Sequence, residues 1–119
     1  MLVGNPPGKA GGRRRRPIPY YVALINWTDQ GIRDVRDTLQ RADRADQLGE
    51  KYGVRLERLY WTVGPYDLVG ILEAPDVESV SAYALELGAT GSVRTTILRA
   101  YEKEEMSSII ERLGPAAAP

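Results

Sequence analysis

The chain has 119 residues, of which 43% are hydrophobic and 27% are charged, a composition typical of one soluble globular domain. It contains neither histidine nor cysteine. This excludes disulfides, thiolate nucleophiles, sulfur-bound metals, a histidine general base and a proximal haem histidine. We therefore expect no metal site and no cofactor, and any chemistry would depend on Asp, Glu, Tyr, Arg, Lys, Ser or Thr, or on the reactivity of a bound substrate itself.

The formal net charge of zero conceals two regions of opposite charge. Lys9 and Arg13–Arg16 lie in residues 1–19 without any acidic residue, so the rest of the chain is acidic. An acidic body argues against a broad nucleic-acid footprint. No apolar run approaches the ~20 residues of a membrane span, and residues 1–19 do not form a secretory or twin-arginine signal. A cytoplasmic protein without membrane attachment is therefore expected.

Residues 1–19 are predicted to be a disordered tail, because glycine, proline and like charges leave too little apolar surface to bury. The Arg13–Arg16 run could bind nucleic acid or an anionic surface, but such a short run is more often a solvated extension. The folded domain is predicted at residues 20–113, and residues 114–119 are predicted to be a flexible C-terminus.

The first predicted strand, Tyr20–Trp27, is apolar without alternation. A strand with one solvated face alternates apolar and polar residues, so both faces of this strand should be covered. One long helix is predicted next, capped at Thr28 and Asp29 and ended by a left-handed Gly53. Its apolar stripe follows helical spacing and consists of Ile32, Val35, Leu39, Ala42, Ala45, Leu48 and Tyr52.

A second strand is predicted at about 55–63 and a third, again apolar without alternation, at 68–74. The tight turn Gly64-Pro65-Tyr66-Asp67 joins them as a hairpin, with proline at a turn position that suits its fixed φ. A second helix starts at Pro75-Asp76 and ends before Gly88. A fourth strand at about 92–101 and a short final helix complete the chain.

The order βαββαβ predicts an α+β, ferredoxin-like plait: an antiparallel four-stranded sheet with strands one and three at its centre, plus a C-terminal helix. Charged residues on strands two and four suit the sheet edges. Both crossover helices cover the same face of such a sheet, so its other face is bare although apolar. A second copy of the chain is expected to cover that face, which predicts a homodimer or higher homo-oligomer.

Several motifs carry a family resemblance, namely Tyr-x-x-Leu-x-x-Trp-Thr-Asp-Gln-Gly at 21–31, Arg41-Ala42-Asp43, Tyr60-Trp61-Thr62, Gly64-x-Tyr66-Asp67, Glu73-Ala74-Pro75-Asp76 and Val93-Arg94-Thr95-Thr96. Over residues 20–110 the chain resembles the GYD-domain family, although Pro65 splits the Gly-Tyr-Asp motif. The resemblance implies a dimeric α/β barrel, in which two plaits pack sheet to sheet. It implies no settled biochemical activity.

Asp67 could serve as a general base, but an aspartate after a turn tyrosine more often caps the turn through backbone amides. Tyr60, Trp61 and Tyr66 could form a wall against a flat ligand, whereas aromatic residues on the strands of a plait are more often core or interface residues. Any proton transfer would depend on Tyr66 or Asp67, with a pKa raised by burial. No catalytic residue is assigned.

Arg94 and Arg99 have opposite parity on the fourth strand, so one of them lies on the bare face. Arg94 is favoured for that face, because Thr96 and Leu98 share its parity. An arginine on an apolar face needs a carboxylate of the protein or an anionic ligand as its partner. The predicted ligand is a flat, weakly anionic small molecule, and its predicted binding residues are Asn26, Trp61, Tyr66 and Arg94, with Asp67 at the mouth.

The preferred interpretation is a non-enzymatic small-molecule-binding or oligomerisation module. An alternative is a cofactor-free monooxygenase-like or isomerase-like enzyme of the dimeric α/β-barrel superfamily, and a third is a purely structural partner of another protein. Fold alone does not decide among them. A binding module would hold its small molecule between sheet and helices or at the dimer seam. An enclosed cavity in the barrel interior, larger than a few waters and with Arg94 or Asp67 pointing into it, would favour a ligand site.

Overall fold

The four strands form one antiparallel sheet in the computed structural model, which describes residues 18–117. The strands are β1 (Tyr20–Trp27), β2 (Arg55–Trp61), β3 (Leu68–Glu73) and β4 (Val93–Ala100), in the spatial order β2-β3-β1-β4. The helices are α1 (Asp29–Arg33), α2 (Thr38–Tyr52), α3 (Val77–Ala89) and α4 (Lys103–Glu111). The predicted plait, with β1 and β3 at the centre, is confirmed. The predicted tail lies outside the described residues, except for its last two positions.

The single long helix predicted after β1 is wrong, because the chain forms α1, a 3-10 turn at Val35–Asp37 and then α2. Gly31 packs so closely on the start of β4 that an ideal Cβ there would lie 2.0 Å from the Ser92 carbonyl oxygen. This contact holds α1 at the sheet edge, and the chain changes direction before α2 crosses the sheet. Ile32 and Leu39 are consequently 49% and 63% exposed instead of belonging to one buried stripe.

The end of α2 agrees with prediction, because Gly53 adopts φ +71° in the left-handed region. Strand β2 ends at Trp61, two residues earlier than predicted, and a register shift interrupts its pairing with β3 between Leu56 and Arg58. The Thr62 amide donates to the Asp67 carbonyl at 2.8 Å, which closes the hairpin between β2 and β3.

The core lies between one face of the sheet and the helices α2 and α3. Tyr21 and Ala23 of β1 pack there with Leu72 of β3 and with Val80 and Tyr83 of α3. The Tyr83 hydroxyl donates to the Ala45 carbonyl of α2 at 2.7 Å, which joins the two helices. Burial alternates along β1 and β3, so their unbroken apolar runs supply the core on one side and a half-exposed surface on the other.

That second surface, which no helix within residues 18–117 covers, is the open face of the sheet. The register places cross-strand neighbours there, and its members are Tyr20, Val22, Leu24, Asn26, Arg55, Arg58, Tyr60, Val69, Ile71, Glu73, Arg94, Thr96, Leu98 and Ala100. Arg94 therefore lies on the side that the sequence favoured.

None of the helices within residues 18–117 has the length and apolar character that crossing a membrane requires.

Candidate functional site

A cavity of about 340 Å³ lies between the sheet and the crossover helices. Ligand sites in proteins range from roughly 300 to 1,000 Å³, and this volume corresponds to about ten waters. Its walls are mainly apolar and include Ile25, Trp27, Leu48, Leu56, Leu59, Leu68, Leu72, Tyr83, Leu87, Val93 and Ile97. The exposed residues Arg44 and Thr90 also line it, so the cavity reaches solvent on their side.

Small side chains on facing elements explain why this space is empty. The strands contribute Ala23 and Gly70, and the helices contribute Ala42, Ala45 and Ala84. An ideal Cβ on Gly70 would lie 3.5 Å from the nearest atom, an ordinary contact, so the site has room for a larger side chain. Protein interiors are otherwise packed like organic crystals, and five small residues in apposition therefore leave a real void.

Arg41 of α2 brings a positive charge to this cavity. Its Nη1 donates to Ser92 Oγ at 2.7 Å, and its Nη2 lies 3.4 Å from Asp34 Oδ2. The Arg41 Nε is buried and finds no acceptor among residues 18–117. Thr95 Oγ1 of β4 is likewise buried without a hydrogen-bond partner in the described part of the chain.

The polar groups collect at one end of the cavity. In the register of the sheet, Thr95 pairs with Ile25 and Val93 with Trp27, so Ser92 and Thr95 lie towards the C-terminal end of β1. The lining towards the opposite end includes the apolar residues Leu48, Leu72 and Tyr83. The cavity is therefore amphipathic, with a cation and hydroxyl groups at one end and hydrocarbon elsewhere.

Two of the residues predicted to bind a ligand, Tyr66 and Asp67, lie in the turn between β2 and β3, and a third, Asn26 of β1, is hydrogen-bonded to that turn. The Asp67 carboxylate accepts from the Trp27 amide of β1 at 2.9 Å, so it is engaged by the backbone of a neighbouring strand rather than by the amides of its own turn. Asn26 Nδ2 donates to the Pro65 carbonyl at 2.8 Å. The side chain of Tyr66 is exposed, and its carbonyl accepts from Thr62 Oγ1 at 2.6 Å.

The remaining two predicted residues lie on different sides of the sheet. Arg94 pairs with Asn26 on the open face, and its Nη1 reaches the edge of the sheet beside Gly88. Trp61 Nε1 instead donates to Thr38 Oγ1 of α2 at 2.9 Å. The cavity lining contains none of the five predicted residues, and their assignment to a ligand site stays a prediction.

Sequence reasoning missed Arg41, Ser92 and Thr95 as polar groups of a cavity. One signal was available, since Thr38, Arg41, Ala45 and Leu48 recur at helical spacing and a charge therefore interrupts an apolar stripe. The small residues on facing elements were a second signal. Neither signal could locate the cavity without knowing which positions of α2 and α3 face which positions of the sheet.

Arg99 has a carboxylate of the protein as its partner. Its Nη2 lies 2.8 Å from Glu105 Oε2 of α4, and its guanidinium stacks 4.4 Å from the ring centroid of Tyr101. The hydrogen bond from Arg99, and then that from the Glu102 amide, hold the pKa of Glu105 below its usual value. This ion pair ties α4 to the end of β4.

Comparison with known proteins identifies the family. A family model described as GYD domain matches residues 21–110, and the chain belongs to that family. A Thermus thermophilus protein named glutamine synthetase and cystathionine beta-lyase binding protein is 34% identical over 84 residues, covering 70% of this chain and 88% of the relative.

Two solved structures are similar in fold. MtbAldR superposes with a TM-score of 0.57 at 16% identity, over 77% of this chain and 60% of that one. This chain thus spans only part of MtbAldR, and the likeness concerns the fold alone. TTHA0845 from Thermus thermophilus has a TM-score of 0.47 at 21% identity, over 71% of this chain and 95% of the other.

Proposed function

We propose that this chain is a non-enzymatic binding module of the cytoplasm, which assembles with itself through the open face and binds another protein as an assembled unit. The observation that carries the proposal is the apolar open face, which no element within residues 18–117 covers.

The open face has the properties of an interaction surface. Tyr60 and Leu98 are 51% and 46% exposed there, and Val22, Leu24 and Ile71 lie half-buried between them. A small soluble domain rarely exposes a contiguous apolar patch of this kind unless another molecule covers it. Burial of such a face stabilises an assembly by roughly 25 cal/mol per Å², before the cost of association.

Side chains of both charges surround the apolar centre of the open face, and such a self-complementary face favours a second copy as the molecule that covers it. Arg94 lies at the end where β1 finishes, whereas Glu73 lies opposite Tyr20 where β1 begins. Burial, and then the neighbouring Glu73 and Glu57, raise the pKa of Tyr20 to about 12, and Arg55 pairs with both of these carboxylates at the same end.

The relative from Thermus thermophilus supports a protein as the further partner, because its name states that it binds two enzymes. In this chain α4 offers a suitable second surface. Met106 and Ile110 of α4 are 42% and 55% exposed, and Leu113 just beyond it is 76% exposed. We therefore infer that the sheet is used for self-association and that α4 contacts the partner.

The geometry favours binding over catalysis. Asp67 and Asn26, two of the polar groups from which an acid–base site could be built, are both hydrogen-bonded to backbone groups. Asp67 accepts from the Trp27 amide of β1, and Asn26 donates to the Pro65 carbonyl of the turn. A general base must reach the proton that it abstracts, and a carboxylate engaged by a backbone amide is poorly placed to do so.

Sedimentation of the full chain at micromolar concentration tests self-association. We expect a dimer or larger species for the wild type and a monomer for Ile71→Lys, which places a charge at the centre of the open face. Leu39→Lys is the matched control, because Leu39 is exposed on α2 away from that face. A wild-type monomer would contradict the proposal.

Binding of the partner is tested separately with purified glutamine synthetase and cystathionine beta-lyase, using biolayer interferometry. We expect the wild type to bind at least one of them and Ile110→Lys to bind more weakly while it remains a dimer. If neither enzyme binds a dimeric wild type, self-association stands and these two partners do not apply to this chain.

A further inference from the structure

We propose that the cavity between the sheet and the helices is a binding site for an apolar molecule that bears a single carboxylate, and that Arg41 holds this carboxylate. The cavity lies on the helix side of the sheet, opposite the open face. The inference is therefore independent of self-association and of the protein partner.

Arg41 has unused binding capacity at this position. A guanidinium carries five N–H donors in one plane, and here Nη1 reaches Ser92 while Nη2 makes only a long contact with Asp34. The side chains of Arg41 and Asp34 are 32% and 43% exposed, so solvent weakens this ion pair. The buried Nε has no acceptor within the described residues, although buried donors in proteins are nearly always paired.

A carboxylate is the group that fits this arrangement. Its two oxygens match the side of a guanidinium formed by Nε and one Nη, and this planar fork gives short, charge-assisted hydrogen bonds. Thr95 supplies a hydroxyl that is also buried without a partner in the described chain and can donate to the same group. A phosphate would bring a second negative charge into a largely apolar cavity, where Arg41 is the partly buried cation and Arg44 lies on the side that is exposed to solvent.

The rest of the cavity indicates what the carboxylate is attached to. Beyond the polar end, the lining is hydrocarbon from Leu48, Leu72 and Leu87, with the ring of Tyr83. A volume of about 340 Å³ accommodates an acid with roughly eight to ten carbon atoms. Linear or branched alkanoic acids and arylalkanoic acids share this chemistry. The chain lengths of the acids that bind will distinguish these classes.

Calorimetric titration of the full chain with octanoate, 1-octanol and octylamine tests the assignment. We expect octanoate to bind and to raise the melting temperature of the protein. We expect 1-octanol and octylamine, which are neutral and cationic molecules of equal length, to bind at least about tenfold more weakly. 3-Phenylpropionate tests whether an aryl acid is accepted. Equal binding of octanoate and octanol would overturn the role of the carboxylate, and the absence of binding by either acid would overturn the site.

Two variants locate the carboxylate on the protein. Arg41→Lys keeps the positive charge but removes Nε, and Thr95→Val removes the hydroxyl with little change of shape. We expect each to weaken octanoate binding, Arg41→Lys by at least about tenfold. Arg36→Lys is the matched control, because Arg36 is exposed and absent from the cavity lining. Wild-type affinity in Arg41→Lys would contradict the proposed role of Arg41.

A third variant tests the apolar end without touching any charge. Ala84→Leu adds a side chain to the cavity wall, so we expect decanoate to lose more affinity than hexanoate while the protein remains folded by circular dichroism. Equal effects on the two acids would place their chains outside the cavity. If an Arg41 variant does not fold, this length dependence and Thr95→Val still decide the proposal.

Discussion

The carboxylate of Asp67 accepts a hydrogen bond from the backbone amide of Trp27 at 2.9 Å, across 40 positions of the sequence. The Asp67 amide in turn donates to the Ile25 carbonyl at 2.8 Å. One residue thus fastens the β2–β3 turn to the end of the central strand β1. The role of Asp67 in this structure is therefore backbone hydrogen bonding rather than proton transfer.

Substitution of Asp67 should therefore reduce stability. We expect Asp67→Ala to lower the free energy of unfolding by about 1–3 kcal/mol, because the Trp27 amide loses a charged acceptor. Urea denaturation followed by circular dichroism measures this change. Asp43→Ala, an exposed position on α2, is the control and should stay within about 0.5 kcal/mol of the wild type. A free energy of unfolding in Asp67→Ala equal to that of the wild type would refute the structural role of Asp67.

Glycine at position 31 is required by a close approach of two backbone segments. Alanine normally stabilises a helix relative to glycine, but a Cβ at Gly31 would lie 2.0 Å from the Ser92 carbonyl oxygen. We expect Gly31→Ala to cost about 2–3 kcal/mol or more. Gly70→Ala is the comparison, since its Cβ would meet Leu56 at 3.5 Å, and its stability should be unchanged or up to ~1 kcal/mol higher. Thermal or urea unfolding of both variants gives the sign of each change.

The attachment of α4 to β4 should weaken at acidic pH, because it depends on the ionised form of Glu105. Arg99 lowers the pKa of Glu105 in the folded state, so the ion pair stabilises fully above the glutamate pKa of the unfolded chain. This contribution is lost as the pH falls through the lowered folded pKa. We expect the melting temperature of the wild type to fall towards that of Glu105→Gln on acidification, so that their difference shrinks between pH 6 and about pH 3. A constant difference would contradict this coupling.

Tyr83 should make the protein sensitive to alkali. Burial, and then the charge of Asp46, raise the pKa of Tyr83 to about 12, so its protonated form stabilises the fold. This stabilisation is complete below the tyrosine pKa of the unfolded chain, near 10, and is lost as the pH rises towards 12.

For Tyr83→Phe we expect a loss of about 1 kcal/mol at neutral pH, because the Ala45 carbonyl loses its donor, and a weaker decline of stability above pH 10. Tyr66→Phe, at an exposed tyrosine, should keep the wild-type stability at both pH values. Urea unfolding at pH 7 and pH 10.5 checks both statements. An identical alkaline decline in Tyr83→Phe and the wild type would contradict the role of Tyr83.

The order of the elements could be predicted because each one carries a local signal. Apolar runs without alternation marked β1 and β3, the Gly64–Asp67 turn marked the hairpin, and Gly53 marked the end of α2. The break between α1 and α2 carries no comparable signal. It depends on Gly31 packing against Ser92, a residue 61 positions away in the chain.

The same distinction applies to the site. The sequence by itself determined the plait, the bare apolar face and the side of the sheet on which Arg94 lies, because these follow from order, composition and strand parity. Only the tertiary structure decided that Trp61 donates a hydrogen bond to Thr38 and that the Asp67 carboxylate accepts one from the Trp27 amide. It also decided that Arg41 lies at the polar end of a cavity. A void and an unpaired donor arise from contacts between elements distant in sequence, and no local pattern of residues encodes them.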